Sequence, residues 1–142
     1  MTSPQPEPAF LEVACAVILR HGKLLLAQRA SNGLWELPGG KTEPGESLPE
    51  CLTREMQDEL AVTVQVGPLL LTQEGLPPEG LPLRLHAFAC RLNGQSPQAL
   101  EHRALIWLAG DEAAKLSLCS TDRALLERLK STGDLDNSAH GW

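Results

Sequence analysis

The sequence has no long hydrophobic run, no excess of basic residues and no closely spaced cysteines. No apolar stretch approaches the ~18 residues that a membrane-spanning helix needs. A net charge of −6 argues against a nucleic-acid polymer or an anionic membrane as the main partner. Small nucleotides are still compatible with this charge as ligands, because metal cations can lie between their phosphates and an acidic protein. We therefore expect a small-molecule partner, with no nucleic-acid polymer and no membrane.

Targeting and redox signals are equally scarce. The first ten residues, MTSPQPEPAF, have neither a basic leader nor an apolar h-region. The four cysteines (Cys15, Cys51, Cys90 and Cys119) lie far apart without a CxxC motif, and three of them fall in apolar runs. This spacing is typical of buried, reduced thiols rather than of zinc ligands or disulfides. We expect a cytoplasmic protein.

The order of apolar patterns predicts one mixed α/β domain. The 142 residues suffice for a single domain, and we expect a core at about 10–131 with two flexible tails. Residues 12–19 form a nearly continuous apolar run, typical of a strand buried on both faces, with residues 23–29 as its hairpin partner. Further strands are predicted at 62–73, with a break at Gly67-Pro68, at 83–92 and at 104–108, and helices at 48–60 and 121–130. This order predicts a mixed sheet with helices on its faces.

Local signals define where both helices begin. Ser47 and Glu50 form an S-x-x-E capping box at the first helix. For the second helix we predict a cap at Ser120 or Thr121. Glycine and proline are concentrated in residues 38–46, before the first helix, so we predict a loop without regular structure there.

The carboxylates of the first helix border its apolar stripe. At ~100° per residue, one face is formed by Leu48, Leu52, Met56 and Leu60. The mean direction of Glu55, Asp58 and Glu59 lies roughly 90° from that face. Like charges at these spacings cost ~0.2–0.5 kcal/mol per pair, and acids near a helix C-terminus oppose the macrodipole. A solvated face and a cation site both remain open; oxygen-only ligands would favour Mg²⁺ or Mn²⁺ over zinc.

The loop before the helix favours the cation site. The segment PGGKTEPGE supplies two glycines, beside which backbone groups can approach a ligand closely. It also supplies Lys41, a point charge suited to phosphate. A lysine-bearing glycine loop that leads into an acidic helix therefore indicates a phosphorylated ligand with its metal.

The same stretch resembles the Nudix box, G-x5-E-x7-R-E-U-x-E-E-x-G-U, where U is aliphatic. Gly40 is followed after five residues by Glu46, and after seven more by REMQDELAV at 54–62. The segments VACAVILRHGKLLLAQRA, LWELPGGK and EHRALIWL are similar to the MutT-like branch, particularly to its CTP and modified-dCTP pyrophosphohydrolases. The resemblance covers residues 12–130.

The resemblance implies a Nudix α/β/α sandwich, with a mixed sheet flanked by helices and a loop-helix-loop box. It implies a single Nudix hydrolase domain over residues 1–142. The implied enzyme converts a nucleoside triphosphate to the monophosphate and pyrophosphate with Mg²⁺, Mn²⁺ being the alternative, and clears modified nucleotides from the pool. Dimers occur among similar proteins, so a homodimer stays open.

Roles at the metal end follow from the same resemblance. The implied metal ligands are the Gly39 carbonyl, Glu55, Asp58 and Glu59. Arg54 would orient a glutamate, and Glu46 would brace the loop through it. We assign the general base to Glu59, with Glu101 as the alternative.

Roles at the nucleotide end are implied for four positions. Arg29 and Lys41 match positions near the phosphates, and Asp122 matches a position that contacts the base in the cytosine-preferring branch. Leu37 stands where some purine-preferring relatives carry a stacking aromatic, which favours a pyrimidine. A carboxylate at Asp122 could accept from cytosine N4 or from guanine N1 and N2, so an 8-oxo-dGTP sanitising enzyme is an alternative.

Two residues depart from the box pattern. Asp58 replaces a glutamate and, being one methylene shorter, could reach a metal through water. Ala61 replaces a glycine, which costs ~1 kcal/mol if the position is left-handed. These departures motivate a further alternative, a catalytically weakened nucleotide-binding or sensor module.

Two histidines are less informative. His86 lies in an alternating strand and either faces the cleft or is satisfied structurally. His102 is expected at the surface.

Overall fold

Seven strands and three helices follow one another in the computed structural model, which describes residues 9–78 and 80–136. The strands are β1 (Leu11–Arg20), β2 (Lys23–Gln28), β3 (Trp35–Glu36), β4 (Gly39–Lys41), β5 (Gln65–Gly75), β6 (Leu83–Arg91) and β7 (Ala104–Leu108). The helices are α1 (Leu48–Leu60), α2 (Gly110–Ala113) and α3 (Ser120–Thr132). Most of both tails, for which we predict flexibility, lies outside the described residues.

Strand β1 is the centre of the sheet. The strand order is β3-β2-β1-β6-β5, with β4 also paired to β1 and β7 also paired to β2. β1 runs parallel to β6 and antiparallel to β2 and β4, so the sheet is mixed as predicted. Alternate β1 side chains enter two separate cores: Ala14, Ala16 and Ile18 pack with α1, whereas Cys15 and Val17 pack with α3. The apolar run at 12–19 is therefore buried on both faces because a helix covers each one.

Helix α1 has the predicted bounds and the predicted cap. The Ser47 hydroxyl accepts from the Glu50 N–H at 3.2 Å, and the Glu50 carboxylate accepts from the Ser47 N–H at 3.0 Å. The helix ends at Ala61, whose backbone is left-handed with φ of 57°. The predicted cap of α3 is wrong: its N-cap is Cys119, without a side-chain capping bond, and the helix ends at left-handed Gly133.

One further prediction needs correction, and the predicted break at Gly67-Pro68 corresponds to a register shift between Val66 and Leu69. Residues 38–46 are not wholly irregular, because Gly39–Lys41 form β4 and pair with residues 13–15 of β1. The predicted break at Gly67-Pro68 does not end the strand; β5 continues across it with two register shifts against β6. A proline is tolerated at such a bulge because no ladder hydrogen bond is required of it there.

The cysteines agree with the expectation of free thiols. Cys15, Cys51 and Cys90 are buried, and Cys119 is partly buried; all four are unpaired to other cysteines. Among the residues that the structure describes, no helix is long and apolar enough to cross a membrane.

Candidate active site

Strand β4 brings the glycine loop against the first turns of α1. Gly40 pairs with Ala14 of β1, and a Cβ atom at Gly40 would overlap the Glu55 carboxyl group. A Cβ atom at Gly39 would overlap the backbone of Ala14. Gly39 therefore permits the close approach of β4 to the backbone of β1, and Gly40 leaves room for the Glu55 carboxylate beside β4.

Arg54 ties this loop to the helix. Its Nε and Nη2 donate to the two oxygens of Glu46 at 2.8 and 2.9 Å, a bidentate pair. Its Nη1 donates to Glu55 Oε1 at 2.7 Å, and Nη2 also donates to the Lys41 carbonyl at 3.1 Å. The hydrogen bonds from Arg54, followed by one from the Glu43 backbone, lower the pKa of Glu46 to about 2. These contacts are those implied for an arginine that orients one glutamate and is braced by another.

Glu59 is the buried acid of α1. Only 7% of the residue is exposed, and Oε2 has no hydrogen-bond partner among the described residues. The pKa of Glu59 is raised to about 9, mainly by burial and then by the charges of Glu55, Glu36 and Glu101, with a backbone hydrogen bond from Gly39 opposing the rise. A buried carboxyl oxygen without a partner costs about 1–3 kcal/mol. A ligand bound at Oε2 would supply the missing partner and so account for a buried carboxyl group at this place.

The other two predicted acids lie at the solvent edge. The Asp58 side chain is 59% exposed and lies 3.9 Å from Arg54 Nη1. Glu101 is exposed, and its charge acts on Glu59. The preceding residue, Leu100, donates its N–H to the Glu59 carbonyl at 3.0 Å, which places the Glu101 loop at the end of α1.

A second buried acid lies at the start of α3. Asp122 is 8% exposed, and its Oδ2 accepts from the Leu37 N–H at 3.0 Å. The pKa of Asp122 is raised to about 7, mainly by burial and also by the Glu36 charge, while the Leu37 hydrogen bond and the Arg29 charge oppose the rise. The Leu37 side chain is buried in the core against α3, so its backbone, not its side chain, is tied to this acid.

The predicted phosphate-side residues lie at the protein surface. Arg29 is partly exposed, with Nη1 3.8 Å from the Cys119 sulfur and Nε 3.9 Å from Glu36 Oε1. Lys41 is exposed at the end of β4. Both cations remain accessible to an anionic ligand.

Sequence reasoning missed Glu36 and was wrong about His102. The His102 side chain is 6% exposed, and its Nε2 lies 3.0 Å from Glu36 Oε2. The charge of Glu36 acts on both Glu59 and Asp122, so Glu36 is close enough to influence both buried acids. The only signal in the sequence was the segments WELPGG and EHRAL, whose contact depends on tertiary folding.

His86 is satisfied structurally, which resolves the alternatives left open for it. Its Nδ1 pairs with the Thr72 hydroxyl at 3.0 Å and its Nε2 with Glu12 Oε2 at 2.9 Å.

The acidic end fits a hard divalent cation. Within residues 9–78 and 80–136, no group of three His, Cys, Asp or Glu side chains is already assembled as a metal cluster. Mg²⁺ does not require one, since it is commonly bound by one or two carboxylates with substrate phosphates and waters. The unpartnered Oε2 of Glu59, beside Glu55 and the glycine backbone, supplies oxygen donors of this kind.

Comparisons with known proteins point to one family. The NUDIX domain matches residues 9–129. The CTP pyrophosphohydrolase of Escherichia coli strain K12 is 40% identical over 122 residues, which are 83% of this chain and 90% of the relative. The 8-oxo-dGTP diphosphatase of Proteus vulgaris is 39% identical over 67 residues, 44% of this chain and 60% of that protein. The solution structure of the E. coli ORF135 protein has a TM-score of 0.77 and 36% identity, covering 92% of this chain and 97% of that one.

Proposed function

Because the chain belongs to the Nudix family and is a nucleotide hydrolase of that family, we propose that it is a Mg²⁺-dependent pyrophosphohydrolase of cytosine nucleoside triphosphates. The products would be the nucleoside monophosphate and pyrophosphate. Modified cytosine nucleotides such as 5-methylated dCTP are within the proposed substrate class, and Mn²⁺ is the alternative metal.

The buried carboxylate of Asp122 carries the substrate proposal. It lies at the start of α3 with one oxygen engaged by the Leu37 N–H, and a carboxylate has about four lone-pair sites. Its remaining capacity suits the exocyclic amino group of a base. The E. coli relative named for CTP supports cytosine.

At the other end, the residues of the box would hold the metal and activate water. We propose Glu55 and Glu59, with the Gly39 carbonyl, as metal ligands, and Asp58 as a ligand through water because of its exposure. When bound, the metal would supply neutralisation of phosphate charge and activation of water. Arg54 and Glu46 keep Glu55 and the loop in place, while Arg29 and Lys41 attract the phosphates.

The proton of the attacking water needs an acceptor close to the metal end. We assign this role to Glu59, because a bound cation would lower its raised pKa and keep the carboxylate ionised, ready to accept the proton. Glu101 is the alternative, because it is exposed and near enough to act on Glu59.

A panel of nucleoside triphosphates, each incubated with Mg²⁺ and analysed by anion-exchange chromatography, tests the proposal. We expect monophosphate and pyrophosphate from CTP, dCTP or 5-methyl-dCTP. Turnover confined to 8-oxo-dGTP would instead favour the sanitising enzyme. The similarity to the 8-oxo-dGTP diphosphatase of Proteus vulgaris supports this alternative. Binding without turnover would favour a sensor module. The exposed Asp58 and the left-handed Ala61, which depart from the box pattern, support this alternative.

Two further expectations stay predictions, and the oligomeric state is to be measured. We propose that residues 10–131 form the single catalytic core and that the protein acts on free nucleotides in the cytoplasm. Light scattering of the purified chain would decide between a monomer and a homodimer.

A further inference from the structure

His102 is a buried imidazole with one engaged nitrogen. Its Nε2 donates to Glu36 Oε2 at 3.0 Å, and the side chain is only 6% exposed. Its Nδ1 is buried and has no partner among the described residues. The ring is therefore directed at the Glu36 carboxylate, while Nδ1 on its other side has no hydrogen-bond partner among the described residues.

The loop that carries His102 is fixed at both ends. Leu100 donates its N–H to the Glu59 carbonyl at 3.0 Å, and Arg103 donates its N–H to the Gln28 carbonyl at 2.9 Å. Glu101 and His102 lie between these bonds, outside any helix or strand. Their side chains have opposite environments, Glu101 exposed and His102 buried. The buried neighbour thus sets the direction in which Glu101 projects.

Stability alone does not explain a histidine at this position. A buried polar group without a hydrogen-bond partner lowers the stability of the folded state. An apolar residue would avoid this cost, and Glu36, which is 23% exposed, could then be hydrated. The gain from the imidazole must therefore be sought in the geometry that it imposes.

We infer that His102 is a positioning residue for the reaction, which fixes Glu101 over the metal-side acids by anchoring its loop to Glu36 of β3. This inference rests on the alternative within the proposed function in which Glu101, close to Glu59, accepts the proton of the attacking water. A glutamate on an irregular loop has many rotamers and backbone states, and its contribution depends on their restriction. The His102–Glu36 bond supplies that restriction from the opposite side of the loop.

The alternative route for an effect of His102 is through Arg29. Glu36 is shared between His102 at 3.0 Å and Arg29 at 3.9 Å, so loss of the histidine frees the carboxylate on both sides. An effect through Arg29, near the phosphates, would change KM. An effect through Glu101 would change kcat, because it would alter the acceptor of a proton rather than substrate binding.

The matched control is the other histidine–glutamate pair. His86 Nε2 lies 2.9 Å from Glu12 Oε2, and its ring is also mostly buried. This pair joins β6 to β1. The hydrogen bonds of His86 go to Thr72 and Glu12 and not to the loop that carries Glu101. His86→Leu therefore removes an equivalent pair and should cost more stability than His102→Leu, since it also leaves Thr72 unpaired.

Kinetics of five variants test the inference. We expect His102→Leu to lower kcat by about 10-fold or more with KM within about 3-fold of the wild type. His102→Gln, whose amide can donate to Glu36, should recover part of this loss, and His86→Leu should keep the wild-type kcat. In the Glu101→Gln background, His102→Leu should lower kcat no further, because each change removes the same contribution, that of the Glu101 carboxylate. An unchanged kcat in His102→Leu, additive losses in the double variant or a change confined to KM would overturn the inference.

Hydrogen exchange gives a readout independent of turnover. The amides of Leu100 and Arg103 should exchange at least 10-fold faster in His102→Leu than in the wild type or in His86→Leu. Unchanged exchange would overturn the positional role. If the wild type hydrolyses none of the nucleotides while exchange rises as expected, the proposed function fails and the anchoring of the loop stands.

Discussion

Helices α1 and α3 have equal length and pack on opposite faces of the sheet, yet their buried acids differ in environment. Asp122 lies in the first turn of α3, where the macrodipole favours a negative charge and the Leu37 N–H donates to it. Glu59 lies in the last turn of α1, where the macrodipole opposes it and Oε2 has no partner in the described chain.

The difference separates two ways of building a ligand-binding acid. The protein itself satisfies Asp122 in part, so this acid is ready to accept from a base without any ion. The protein gives Oε2 of Glu59 no hydrogen-bond partner, so a ligand must replace the hydration that this oxygen loses on burial. We expect changes at Glu59 to affect chemistry and changes at Asp122 to affect selection.

The largest effect is expected from Glu59→Gln. The change removes the proposed base and metal ligand while keeping the shape of the side chain, so kcat should fall by about 10³-fold. Circular dichroism should show an intact fold. Glu127→Gln, on the exposed face of α3, is the matched control and should retain full activity. If Glu59→Gln keeps near wild-type turnover, Glu101 becomes the base.

Asp122→Asn should alter selection. The amide still accepts from the Leu37 N–H but replaces one acceptor of the base by a donor, so the preference of kcat/KM for cytosine over guanine nucleotides should change by about 10-fold or more. Substrate competition assays measure this ratio. A loss of kcat for every nucleotide with the ratio preserved would contradict the separation of roles.

The same variant should change the pH dependence of stability. The pKa of Asp122 is raised to about 7, by burial first and then by Glu36, with Leu37 and Arg29 opposing. The folded state therefore retains a proton that the unfolded state loses above pH ~4, and stability falls as pH rises from about 4 to 7. Asp122→Asn lacks this loss, so its Tm should exceed that of the wild type at pH 8 by more than at pH 4. Equal differences at both pH values would contradict the raised pKa.

The C-terminal ends of the helices offer a reciprocal test. Both end on a left-handed residue, Ala61 in α1 and Gly133 in α3. Ala61→Gly should raise the free energy of unfolding by about 1 kcal/mol, and Gly133→Ala should lower it by a similar amount. Urea denaturation measures both. A destabilised Ala61→Gly would mean that the methyl group contributes packing that exceeds the strain.

The smallest effect is expected from Asp58→Glu. The side chain is exposed, and one added methylene would bring its carboxylate closer to the other acids. The Mg²⁺ concentration for half-maximal activity should fall by a few fold. If it does not change, Asp58 lies outside the metal site.

The sequence predicted the elements that have local causes. The capping box and the spacing of four apolar residues predicted α1 at its observed bounds, and the apolar run predicted the buried β1. The Nudix-like spacing also placed Arg54 and Glu46 in the contacts that the structure shows.

What it missed depends on distant contacts. Nothing in the residues Gly-Gly-Lys indicates that β4 pairs with β1, because the pairing is set by the backbone alone. The helical projection grouped Asp58 with Glu59, but in the structure Glu59 is 7% exposed whereas the Asp58 side chain is 59% exposed. His102 is polar and lies in a loop, so its burial against Glu36 could not be inferred locally.

The parallel pairing of β1 with β6 has a consequence for the order of folding. Leu11 is paired with Leu83, and Ile18 with Cys90, so the central ladder closes only after most of the chain has been made. Such distant pairing slows folding, since loop entropy is lost before the contacts form. During synthesis on the ribosome, β1 can pair early with β2 and β4, but its apolar edge stays open until β6 emerges. That edge is the part of the newly made chain most exposed to wrong association.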